Sequence, residues 1–90
     1  MLYAAKCYWP GVTETDLEQV AARAAQASDD RVAYLGSLLF SADDLVLCLL
    51  DGPSRAAAKH ASDRLGIPCE RLIDSVRLQS DPPTVKGPKP

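Results

Sequence analysis

An α+β fold is predicted by three observations in this sequence. Two segments carry helix-capping residues and helical spacing of apolar side chains, four short apolar runs have strand composition, and the elements follow the order β-α-β-β-α-β. The chain has 90 residues and a mass of 9.7 kDa, enough for one core. We place a single domain over residues 1–78 and a disordered or extended tail over 79–90, where Pro82, Pro83, Pro88 and Pro90 break any apolar pattern.

The first strand is expected over Leu2–Trp9, a loosely alternating, aromatic-rich run whose one charge is Lys6, closed by the turn pair Pro10-Gly11. Thr13 followed by Asp16 has the spacing of a capping box, and Val12 with Leu17 the spacing of a hydrophobic staple. Leu17, Val20, Ala21, Ala24 and Ala25 then recur on one helical face until Ser28-Asp29-Asp30 interrupts it. Val32–Phe40 and Leu45–Leu50 read as strands two and three, joined by the short polar Ser41–Asp44. Pro53 suits the first position of a second helix, which runs over Ser54–Leu65 and ends at Gly66 with Pro68 beyond. Leu72–Leu78 is the fourth strand, with Asp74 and Arg77 directed to solvent or a partner, and Cys69 falls in the loop before it. This order is the split β-α-β of the ferredoxin-like fold, with both helices on one face of a four-stranded antiparallel sheet.

That layout leaves the second face of the sheet uncovered. Strand three, Leu45-Val46-Leu47-Cys48-Leu49-Leu50, is apolar at odd and even positions alike, so three large aliphatic side chains fall on the open side. Burying one such side chain is worth about 1.5–3 kcal/mol, which favours association. A homodimer through the open face is therefore expected, and cover by the tail or a longer fourth strand is the alternative.

Ten Lys plus Arg against twelve Asp plus Glu give a net charge of −2, the wrong sign for gripping phosphate backbones, so nucleic acid is excluded as the main partner. No apolar run reaches the 18 or so residues that cross a bilayer, and no basic leader precedes an apolar stretch, so no membrane partner and a cytoplasmic location are expected. Three cysteines at 7, 48 and 69 make an odd, unpaired set that suits a reducing compartment.

The chemistry on offer is sparse. Five glycines never cluster into a phosphate-binding loop, and Cys-x-x-Cys and His-Glu-x-x-His are absent. His60 and Asp63 share one face of the second helix and offer an imidazole and a carboxylate to a divalent ion, although exposed pairs at this spacing are common on any helix. Cys7 and Cys48 sit on strands that are neighbours in the ferredoxin-like order, where their thiols can approach or remain inert, and Cys69 is the more accessible sulfur. Tyr8, Trp9, Tyr34 and Cys48 are candidates for the wall of a small-molecule pocket between sheet and helices.

Pro10-Gly11-Val12-Thr13, Tyr34-Leu35-Gly36-Ser37, Asp44, Cys48, Gly52-Pro53-Ser54 and Gly66-Ile67-Pro68 together resemble a group of small bacterial ferredoxin-like domains of unknown function, often labelled the nickel-binding protein family. The resemblance spans residues 2–78. It implies a dimeric domain, some of whose relatives bind nickel or related divalent ions at the surface. Relatives with metal-site character carry a histidine where Gly36 stands and another near Ala61, whereas His60 falls one position earlier, a turn of about 100° on a helix. Cys48 matches a cysteine of the family's third strand. The function expected is a small non-enzymatic binding protein, with nickel or another divalent ion held at His60 and Asp63. A pocket for a small molecule or a cofactor-independent reaction, and a protein-interaction module, are the alternatives.

Overall fold

The computed structural model describes residues 1–26 and 31–76. Its elements are β1 (Leu2–Tyr8), α1 (Glu14–Gln26), β2 (Ala33–Phe40), a 3-10 turn (Ser41–Asp43), β3 (Leu45–Asp51), α2 (Arg55–Arg64) and β4 (Cys69–Ser75). The strands form one antiparallel sheet in the order β2-β3-β1-β4, so the ferredoxin-like layout expected from the sequence is the observed one. The segment 28–30, Arg77, Leu78 and the tail over 79–90 lie outside the described residues.

Both helices begin as their sequences dictate. The Thr13 hydroxyl accepts from the Asp16 amide at 3.2 Å while the Asp16 carboxylate accepts from the Thr13 amide at 2.8 Å, which closes the capping box. Ser54 accepts from the Ala57 amide at 3.1 Å and is itself the N-cap, so Pro53 stands before the cap rather than at the first helical position. The serine hydroxyl can reach a free amide, whereas proline has none to satisfy. Gly66 ends α2 at φ +75°, and the Leu65 carbonyl there accepts from the Arg23 guanidinium of α1 at 2.9 Å.

The core lies between the sheet and the helices. Tyr3, Ala5, Cys7, Val46, Cys48, Leu50 and Leu72 face Val20 of α1 and Ala58 of α2, with Leu65 and Ile67 closing one end. Helix α1 buries a narrower stripe than expected: Val20 is inaccessible and Leu17 and Ala24 are half-buried, but Ala21 and Ala25 are exposed. Alanine at those two positions preserves helix propensity without needing cover.

Two irregularities in the sheet set which side chains point where. Strand β2 slips register between Tyr34 and Gly36, where Gly36 takes φ +117°, and β4 slips opposite the Lys6–Cys7 step of β1. The second slip draws Cys69 out of the expected loop and into β4, opposite Cys7. The exposed edge of β4 is partly covered by Arg55, which donates to the Leu72 carbonyl at 2.7 Å and pairs with Asp74 at 2.6 Å.

Candidate functional site

The open face of the sheet is the most distinctive surface of the molecule. Strand alternation sends Tyr8, Lys6 and Ala4 of β1 away from the helices, and the register aligns them with Leu45, Leu47 and Leu49 of β3. On the other side of β3 the register adds Phe40 and Leu38, and on β4 it adds Arg71 and Ile73. Tyr8 is 57% exposed, Leu38 53% and Phe40 43%, so a continuous apolar surface faces outward. Lys6 and Arg71 stand directly opposite each other within it, and neither has an ion-pair partner among the described residues. Like charges in this position repel, which suits a surface that receives acidic groups.

A thread of polar side chains runs through the opposite face. The Tyr34 and Ser37 hydroxyls are hydrogen-bonded, Ser37 donates to the Cys48 sulfur at 3.1 Å, and Cys48 in turn shares a hydrogen bond with Cys7. The Cys7 thiol has one proton and two acceptors in reach, Cys48 and the Ala5 carbonyl at 3.4 Å. Its bond to Cys48, and then burial, hold the Cys7 thiol well above the usual thiol range. The same bond, with help from Ser37 and against burial, brings Cys48 down to about 7. Burial pushes Cys69 up, opposed by the ammonium of Lys59, and burial likewise raises Tyr34.

The candidate residues are distributed over separate surfaces. Tyr8 belongs to the open face, whereas Trp9 is half-buried against the core just beyond β1, its amide bonded to the Asp44 carbonyl at 2.8 Å. Tyr34 lines a cavity of about 30 Å³ with Val32, Leu50 and Ala61, a space in which neither Tyr8, Trp9 nor Cys48 takes part. The pocket with all four on its wall is thus not formed, because the alternation of β1 places Tyr8 on the side of the sheet opposite Cys48. His60 and Asp63 are both exposed on α2, and Asp63 is already paired with Lys59 at 2.7 Å. Among the described residues no group of three or more His, Cys, Asp or Glu is arranged to hold a metal ion.

Several contributors were not singled out from the sequence. Ser37 had a signal, as the only serine within the apolar run of β2, and Lys59 stands four residues before Asp63 on one helix. The outward placement of Leu38 and Phe40 had none, since β2 is apolar at both parities.

No family model matches the sequence, and no curated protein matches it significantly. Among solved structures the chain resembles SCO4226 from Streptomyces coelicolor A3(2), at 21% identity and a TM-score of 0.74, over 89% of this chain and 100% of that one. The likeness shows the fold. No helix among the described residues is long and apolar enough to cross a membrane.

Proposed function

We propose that this chain is a small non-enzymatic binding protein whose working unit is a pair of copies joined through the open sheet faces. The observation that supports it is the outward apolar surface of Tyr8, Leu38, Phe40 and Ile73 around the Leu45, Leu47 and Leu49 row. A second copy is the occupant that matches this surface in kind, because a two-fold axis brings the same apolar rows against themselves. Sedimentation at micromolar concentration should give the mass of two chains, and a Leu38→Asp variant the mass of one. Leu38 is 53% exposed, so a charge there costs the single chain little. A one-chain mass for the unmodified protein sinks the proposal.

A divalent ion such as nickel at His60 and Asp63 is the second reading, supported by the exposure of both side chains one helical turn apart on α2. Lys59 competes for Asp63, so a Lys59→Ala variant should bind nickel more tightly than the unmodified protein, and His60→Ala should abolish binding in a calorimetric titration. Identical titrations for all three proteins discard this site.

A further inference from the structure

All three cysteines of the chain sit on the sheet, and the register brings them to one side of it. Cys7 of β1 lies directly opposite Cys69 of β4, and both pack into the same core cluster. Residues directly opposite in an antiparallel ladder have Cα atoms roughly 4.5–5.5 Å apart, inside the window of about 4.4–6.8 Å that a disulfide requires. Cys48 stands opposite Ala5 and so is diagonal to Cys7, at the roughly 7–8 Å typical of diagonal neighbours, which falls outside that window. Only one of these sulfurs has a route to solvent. Cys7 and Cys48 are fully buried, whereas Cys69 is half-buried and lines a groove of about 260 Å³ between α2 and the β4 edge, together with Arg55, Lys59 and Leu72.

We propose that Cys69 and Cys7 form an oxidation site, in which a hydroperoxide entering the α2–β4 groove oxidises Cys69 and Cys7 then closes a disulfide between β4 and β1. In the first step the Cys69 thiolate attacks the terminal peroxide oxygen and the O–O bond breaks. The displaced alkoxide, or hydroxide when the oxidant is hydrogen peroxide, takes up a proton, and Cys69 becomes a sulfenic acid. Burial raises the Cys69 thiol on balance, and the Lys59 ammonium only partly opposes it, so the thiolate that reacts is a minority form and the step speeds up as pH rises. In the second step the Cys7 sulfur attacks the Cys69 sulfur, the S–O bond breaks, and the departing hydroxide leaves as water with the proton of Cys7. Two thiols and one hydroperoxide thus give one disulfide, one alcohol or water, and a further water. Cys48 shares a hydrogen bond with Cys7 but takes no part in the linkage, and its bond from Ser37 ties it to β2.

The full chain makes the test direct, because cleavage after Lys and Arg leaves each cysteine in its own peptide, over residues 7–23, 32–55 and 65–71. The reduced protein is treated with one equivalent of hydrogen peroxide, remaining thiols are blocked, and the unreduced digest is mapped by mass spectrometry. The expected product is peptide 7–23 joined to peptide 65–71. It should persist in a Cys48→Ala variant and be absent from Cys69→Ala. Linkage of 7–23 to 32–55, a disulfide joining two chains through Cys69, accumulation of Cys69 sulfinic acid, or three unmodified thiols each overturn the proposal.

Discussion

Tyr34, Cys7 and Cys69 make the stability of this protein depend on pH, because each holds its proton more tightly when folded. The ordinary values are 9.0 for the thiols and 10.0 for the phenol, and all three groups are raised in the fold. A group with a raised folded value contributes stability below its unfolded value and loses it as pH climbs above that value. From about pH 9 upward the unfolded chain releases protons that the folded chain retains, so the urea midpoint should fall steadily. Cys48, lowered to about 7, acts in the opposite sense, but that gain is complete once pH passes the ordinary thiol value of 9.0. A midpoint that stays flat between about pH 9 and about pH 10.5 contradicts the burial of these groups. At this scale the sequence was partly legible. The His60 and Asp63 pair could be read from spacing, but the capture of Asp63 by Lys59 is one of several geometries that the same helix allows.

Helix ends were the most readable elements, because a capping box is satisfied within four consecutive residues and needs no tertiary partner. Thr13→Ala should cost about 1 kcal/mol in urea denaturation, with Thr13→Ser close to the unmodified protein. Equal loss in both variants means that the Thr13 methyl, and not its hydroxyl, is what matters. The termini of the strands were less legible. Trp9 looks like a strand residue, and its amide carries the β1–β3 register one rung further, to the Asp44 carbonyl. Strand β1 nevertheless ends at Tyr8, because the Asp44 side chain there accepts from the Gly11 amide at 3.3 Å and holds the turn. That contact joins the β1–α1 turn to the β2–β3 connection, two segments more than thirty residues apart in sequence. Cys69 was displaced from loop to strand for a related reason, since the β4 slip opposite the Lys6–Cys7 step is a feature of pairing and has no local signature.

The described residues form a two-layer sheet-and-helix domain in which none of them covers one face of the sheet, and the proposed pairing follows from that asymmetry. The order of elements, the Thr13 start of α1, the Gly66 end of α2 and the excess apolar character of strand three were set by the sequence itself, because propensity, capping and composition act over a few neighbouring residues. What only the tertiary structure decided is which side of the sheet each side chain of β2 occupies. Val32–Phe40 is apolar at both parities, and the register slip at Leu35, with Gly36 at φ +117°, sends Ser37 and Leu39 inward and Leu38 and Phe40 outward. A one-residue slip exchanges the two faces of a strand, so both the polar thread to Cys48 and the bare apolar surface depend on a pairing that forms only when β2 meets β3. The Cys7–Cys69 juxtaposition has the same origin. It joins residues far apart in sequence through a ladder, and no spacing between cysteines encodes which rung they share.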